Sequence, residues 1–331
     1  MKKKGLDIIG QSKNAYRHHA ENWRAHAKAH SVFAPFKPLS NFMNSGVGKA
    51  LILVANGHSL EIEFDVLKAN REGHDIMCCD KSLGTLIERG IKPDFVMVCD
   101  ANVNYEKYME PWKDQLDQTT LFVNVCANPK WAMNGSWKDK YFFVNFDSIR
   151  SEVEFSKLSG CMNMIPAATN VSNAMVVMAT QSDNTGRKNF FGYDKIILLG
   201  FDFCWTQEGS YYAFDKRAQG KFNYMRHVYA LGRMGEMVYT STNLAFSSRW
   251  LEQYLKSFNL PVVNCSTHSI LGGVPHKPLK SQIPYSYRRE DSSVVSNDLK
   301  KRDVLMFEVQ NIEKRLAKIG QDHWLAFRAS I

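Results

Sequence analysis

Lys49-Ala50-Leu51-Ile52-Leu53-Val54-Ala55-Asn56-Gly57-His58-Ser59-Leu60 is the stretch that decides the fold. Ala50–Ala55 is apolar without alternation, which marks a strand covered on both faces, and such strands belong to parallel sheets. The run stops at Asn56-Gly57, and Leu60–Asn70 then reads as a helix. A strand that turns through glycine straight into a helix is the opening of a βαβ unit.

The same pattern repeats outward from this segment. Short apolar runs at Ile76–Cys79, Phe95–Cys99, Thr120–Val125, Tyr141–Val144, Ile196–Leu199 and Val262–Val263 predict further strands. Lys81–Arg89 and Asn170–Gln181 predict helices, the latter with no internal Gly or Pro. Strands alternating with helices give an α/β fold with a doubly wound, mostly parallel sheet.

Three regions follow from the composition. Residues 1–48 form a basic, partly helical lead, 49–275 the α/β core, and 276–331 a Pro/Ser/Lys-rich linker with a C-terminal amphipathic helix. That helix is expected from about Asn297 to Ile319, where Leu305, Val309, Ile312, Leu316 and Ile319 make one stripe and Gly320 a stop. The stripe suits docking on the protein's own core, or oligomerisation through the C-terminal helix.

The 331 residues are 44% hydrophobic, enough for one large α/β domain with appendages or at most two compact domains. No apolar run approaches the ~18–20 residues of a membrane span, and Lys2, Lys3 and Lys4 follow Met1 without a signal-peptide stretch, so a cytoplasmic location is expected. The cysteines at 78, 79, 99, 126, 161, 204 and 265 lack a Cys-x-x-Cys pair and read as reduced core thiols. The formal charge is +9, and residues 1–30 hold seven Lys/Arg and four His against Asp7 and Glu21. Such a patch attracts phosphate, whether of nucleic acid, an anionic surface or a nucleotide; its ordinary reading is a solvated arm.

The chemistry is expected where strands end. In open parallel sheets ligands bind at the carboxyl edge, and the Asn56–Ser59 turn offers free N–H groups and a helix dipole to an anion. The turn lacks the three-glycine dinucleotide fingerprint and a Walker-type Gly-Lys-Ser/Thr. Asp80 and Asp100 close the second and third strands and would hydrogen-bond a ribose or base, or hold a divalent cation beside a diphosphate. Each also reads simply as a helix or turn cap. Gly200-Phe201-Asp202 ends another strand, and Tyr211-Tyr212-Ala213-Phe214-Asp215 follows as an aromatic, polar loop suited to phosphate and sugar.

In these motifs the sequence resembles the motility-associated-factor (Maf) glycosyltransferases, the MptE-like domain family of hydroxymethylpterin pyrophosphokinases, and the Campylobacter-type CMP-sialic-acid sialyltransferases. Asn56-Gly57-His58-Ser59-Leu60 is similar to the turn of both transferase groups, and Gly90-Ile91-Lys92-Pro93-Asp94 to a Maf signature. Thr169-Asn170-Val171 resembles the Maf group's small-polar turn before a long helix. Tyr193–Asp202 with Tyr212–Asp215 resembles a sialyltransferase pair, while Val238-Tyr239-Thr240 and Val263–Gly273 resemble Maf patterns.

The resemblance implies a Rossmann-like transferase for a nucleotide-activated sugar, often CMP-linked. It places Asn56, Gly57, His58, Ser59 and Gly200 at the nucleotide and Asp80 and Asp100 at its ribose or the sugar. Thr169 and Asn170 would meet the base or sugar carboxylate, and Tyr212 the phosphate. His58 replaces the proline of the family turn, and the sialyltransferase histidine aligns near Ser241 and Thr242, so its base assignment does not carry over. Asp100, Asp202, His58 and His227, the last read as a helical residue, are the candidate bases.

Three function classes remain open on these residues. One is glycosyl transfer from a nucleotide-sugar donor to a hydroxyl on a protein, a glycan or hydroxymethylated DNA. A second is pyrophosphoryl transfer from Mg–ATP near Asp80 and Asp100. The third is a basic nucleic-acid-binding module without catalysis, whose affinity would fall steeply with salt.

Overall fold

A computed structural model describes residues 22–146, 156–166, 168–180, 191–206, 208–209, 211–214, 227–232, 235–256 and 261–284. Its centre is an eight-stranded sheet: β1 (Ala50–Val54), β2 (His74–Cys79), β3 (Phe95–Val98), β4 (Thr120–Asn124), β5 (Asp139–Phe146), β6 (Met164–Pro166), β7 (Lys195–Leu199) and β10 (Val262–Asn264). The spatial order is β10-β7-β1-β2-β3-β4-β5-β6, and every pairing is parallel. This is the Rossmann-like, doubly wound architecture expected from the sequence.

Every residue of β1 is buried because both faces are covered. Ile52 and Val54 pack with Leu60, Phe64 and Leu67 of α2 (Ser59–Ala69) and Leu83, Leu86 and Ile87 of α3 (Asp80–Glu88). Leu51 and Leu53 face α4 (Val171–Thr180) and α5 (Thr242–Lys256) through Met175, Val176, Leu251 and Leu255. The two-residue alternation of the strand splits one apolar run between two cores, each fully buried Leu or Ile contributing about 1.5–3 kcal/mol.

The lead is not a solvated arm where it is described. Helix α1, residues 22–30, precedes a segment that docks on the sheet: Phe33 and Phe36 pack on Phe142, and Phe42 on Phe95, Phe122, Tyr141 and Phe191. His30 donates Nδ1–H to the Val125 carbonyl, and burial pulls its pKa down to about 4. Apolar contact therefore decides the placement of this segment over its local charge.

Two features differ from the sequence reading. The edge strand β6 is added, and β8 (His227–Leu231) pairs antiparallel with β9 (Met237–Ser241) as a separate hairpin. His227 thus lies on a strand, opposite Ser241, and not on a helix. The strands are closed by Gly232 N–H donating to Glu236 O and Gly235 N–H donating to Gly232 O, and a closed turn permits strand pairing where a helix would need to run on.

The C-terminal helix and the oligomerisation expected through it lie outside the described residues, as does most of the linker. All seven cysteines are free thiols, six of them buried. Among the described residues no helix is long and apolar enough to cross a membrane.

Candidate functional site

Strand β1 has β2, the next strand in the chain, on one side and β7, reached only after the chain returns from the far edge, on the other. Successive connections leave β1 and β7 in opposite directions, and the loops at their carboxyl ends part to leave a crevice. The crevice is lined by Asn56, Gly57, Asp80, Lys81, Asn170, Val171, Ser172, Gly200, Asp202, Phe203, Tyr211, Tyr212 and Leu244 among others, around a cavity of about 160 Å³.

Its floor depends on two loops crossing at van der Waals distance. Gly57 N–H donates to Gly200 O, and a Cβ on Gly57 would stand 2.5 Å from that oxygen and 2.7 Å from the Asp202 carboxylate. Gly200 has φ 73°, and its own Cβ would lie 2.4 Å from Ala55 O. Phe203, three residues on, also takes positive φ, 57°, a conformation bulky residues rarely occupy.

Above the floor the 211–214 segment is fastened to the turn. Tyr212 forms a bridge to Gly57, Ala213 N–H donates to Asn56 O, and Phe214 N–H donates to Glu61 Oε2. The Tyr212 hydroxyl consequently meets Lys81, whose Nζ donates to it at 3.2 Å. Burial pulls the Lys81 pKa down, but the Tyr212 oxygen and Asp80 outweigh it and the net shift is upward, so the ammonium stays charged.

Asp202 corrects one expectation. Its Oδ2 accepts the Ser59 N–H at 2.8 Å, and Gly57 N–H is already engaged, so the α2 turn does not offer these amides to an anion. Asp202 is 2% exposed, and burial raises its pKa. At α4 Asn170 Oδ1 caps the Asn173 N–H, which leaves the Val171 and Ser172 N–H groups of the first turn, on residues that line the crevice, without an intrahelical partner. Lys81 and this helix end are the positive groups of a lining that also holds the carboxyl groups of Asp80 and Asp202.

The expected residues divide accordingly. Asn56, Gly57, Asp80, Asn170, Gly200, Asp202 and Tyr212 line the crevice together. Ser59 is buried beneath it, and His58 lies beside His268, away from the lining. Thr169 is exposed and its Oγ1 accepts from Asn173 Nδ2; Asp100 is exposed outside the lining, with Oδ1 accepting the Asn102 N–H, and its charge bears on Asp80. Lys81 and Leu244 were absent from the sequence reading of the site, and Tyr211 entered it only as part of the aromatic loop. Lys81 alone had a local signal, its place directly after the strand-end Asp80.

Asp80 is 1% exposed; Oδ1 accepts the Lys81 N–H, and Oδ2 is buried without a hydrogen-bond partner among the described residues. Burial lifts its pKa from 3.8 to about 7, Lys81 opposing and Asp100 adding to the rise. The unfolded chain ionises this group near 3.8 and the fold near 7, so its ionisation costs stability increasingly between those values and fully above pH 7. Asp80→Asn keeps an acceptor for Lys81 N–H and, at about 1.4 kcal/mol for each pH unit between 3.8 and about 7, is expected to stabilise the protein by about 4 kcal/mol at pH 8 and negligibly below pH 4. Thermal melts across that range check it; an equal gain at both ends would place the effect elsewhere.

Residues 20–208, more than half of the chain, match the family described as 6-hydroxymethylpterin diphosphokinase MptE-like. Among solved structures, the MAf glycosyltransferase from Magnetospirillum magneticum AMB-1 superposes with a TM-score of 0.55 at 16% sequence identity. The match covers 87% of this chain and 42% of that one, so the chain spans less than half of the larger protein. No curated protein sequence matches the chain. The likeness to sialyltransferases rests on the sequence motifs alone. The family match runs from α1 through β7 to the loop that carries Asp202, and on that span the chain belongs to the MptE-like family.

Proposed function

We propose that the chain transfers a sugar from a nucleotide-activated donor, held in the β1/β7 crevice, to an acceptor hydroxyl. The observation that carries this reading is the Lys81–Tyr212 pair set against the α4 N-terminus across the crevice. Among the described residues the Lys81 ammonium, the Tyr212 phenol and a helix end complement a single phosphate, which favours a nucleoside monophosphate-linked sugar such as a CMP-linked one. A cavity of about 160 Å³ is below the ~300–1,000 Å³ of sites that enclose a whole ligand, so the sugar projects towards the mouth, where an acceptor can meet it.

In that arrangement Asn56 and Asp80 meet the nucleoside, Asn170 the sugar's polar groups, and Tyr212 with Lys81 the phosphate. The acceptor oxygen bonds to the anomeric carbon as the bond from that carbon to the phosphate oxygen breaks. The phosphate leaves with the electron pair, and Lys81, Tyr212 and the first-turn amides of α4 stabilise the charge it gains. A protein, a glycan or a hydroxymethylated DNA base would each present a suitable hydroxyl.

Membership of the MptE-like family favours a second reading, diphosphoryl transfer from ATP with Asp80 and Asp100 holding Mg²⁺ at the strand ends. Thermal shifts with CMP, UMP, GMP and ATP, with and without Mg²⁺, separate the two. Cytidine nucleotide is expected to stabilise most, by about 2.7 kcal/mol at a hundredfold excess over Kd, without Mg²⁺. Stabilisation by ATP only with Mg²⁺, together with AMP release, would select the diphosphokinase. No shift with any nucleotide would end both readings.

A further inference from the structure

The 211–214 segment lies along α3 and is met there by two cations. Lys81 in the first turn of α3 and Arg89 at its C-cap stand about two turns apart, so their side chains share one face of the helix. The Lys81 Nζ lies 5.5 Å from the centre of the Tyr212 ring and donates to its hydroxyl, while the Arg89 guanidinium lies 3.9 Å from the centre of the Phe214 ring. Phe64 of α2 meets the Phe214 ring edge to face at 5.4 Å, and Arg89 Nη1 is itself tied to Glu88 Oε2. At the other end of the segment Tyr211 stacks on Trp205 at 4.5 Å.

The amide bonds from Ala213 to Asn56 and from Phe214 to Glu61 could hold the segment by themselves, with Phe214 a plain packing residue. Against that, Phe214 takes φ 57°, where a bulky side chain is strained and a glycine is not. Glycine would keep both amide bonds at lower strain, so what the phenyl ring adds is its contact with Arg89 and Phe64. The amide bonds and the bridge to Gly57 fix backbone atoms only. The Tyr212 hydroxyl, whose hydrogen-bond partner among the described residues is Lys81, depends on where the segment lies along α3, and a misplacement of about 1 Å is enough to lose a productive contact.

We propose that Arg89 and Phe214 are positioning residues for the phosphate grip: their contact sets the register of the 211–214 segment on α3 and holds the Tyr212 hydroxyl at the donor phosphate. The inference rests on the nucleotide-donor reading, which places that phosphate at Lys81 and Tyr212. Because Lys81 already donates to the Tyr212 oxygen, the phenolic proton is the one left to donate to a phosphate oxygen. Arg89 and Phe214 are not among the residues that line the crevice and act only through Tyr212. Their contact therefore bears on the phosphate, and not on the nucleoside that meets Asn56 and Asp80.

The test is calorimetric titration of the full chain with cytidine monophosphate and with cytidine, which lacks the phosphate. Phe214→Gly, which tolerates the positive φ, is expected to weaken the monophosphate about tenfold and cytidine by less than about twofold. Arg89→Ala should weaken the monophosphate about fivefold, and Arg89→Lys, which keeps a cation over the ring, should recover part of the loss. In a Tyr212→Phe background Phe214→Gly should cost the monophosphate nothing further, because the effect runs through the hydroxyl. Thermal melts check that each variant is folded; if Phe214→Gly is not, the partly exposed Arg89 carries the same cycle through Arg89→Ala. Where cytidine binds too weakly to titrate, the cycle decides. Unchanged monophosphate affinity, equal losses for both ligands, or a loss that persists in full without the hydroxyl overturns the assignment and leaves Phe214 a packing residue. A parent chain that binds no nucleotide removes the donor reading, and this inference with it.

Discussion

Lys81→Met is expected to weaken binding of cytidine monophosphate about a hundredfold, or about 2.8 kcal/mol. Among the described residues Lys81 is the one cation that lines the crevice, and its half-buried ammonium meets the Tyr212 hydroxyl. A charge-assisted contact made away from bulk water is worth far more than an exposed ion pair. Titration calorimetry at pH 8, where Asp80 is mostly ionised, gives the cleanest measurement. Removing the ammonium also removes what opposes the upward shift of Asp80, so the variant should protonate Asp80 at still higher pH. Lys81→Arg should recover only part of the affinity, because its planar fork does not reproduce the point charge. A loss under threefold would place the phosphate elsewhere.

Gly200→Ala should cost the most stability of any single methyl added to the site, about 3 kcal/mol or more. At φ 73° an alanine is strained by roughly 1–2 kcal/mol, and its Cβ would press on Ala55 O at 2.4 Å, a backbone atom held by β1. Relief requires the β1 and β7 loops to separate, which breaks the Gly57 N–H bond to Gly200 O and opens the crevice floor. A fall in the urea midpoint at constant m, with nucleotide binding lost, is the expected result. A variant as stable as the parent would show that the loops do not cross so closely.

What could be read from the sequence follows from how each element is stabilised. The central strands were legible because both faces are buried, so Ala50–Val54 and Ile196–Leu199 appear as unbroken apolar runs. Strand β6 was not, since Met164-Ile165-Pro166 places only Ile165 in the core. The β8–β9 hairpin stands apart from the main sheet and so lacked that signal. At the site, Asp100 at the end of β3 falls outside the lining, whereas Asn56, Asp80 and Asp202 next to strand ends were anticipated because parallel strands bring their carboxyl ends to one edge. The contact of Arg89 with Phe214 was not, because it joins segments far apart in the chain that only the tertiary fold brings together.

The Asp202 carboxylate on the Ser59 amide has a kinetic consequence. With its own carboxyl group seated at the head of α2, the protein holds the Asn56–Ser59 loop in shape before any ligand arrives. Little chain entropy remains to be lost on encounter, so capture of the donor should be limited by collision and desolvation, with no slow isomerisation. Asp202 is then an internal stand-in for the ligand, and it costs the protein the phosphate grip a free helix end would give.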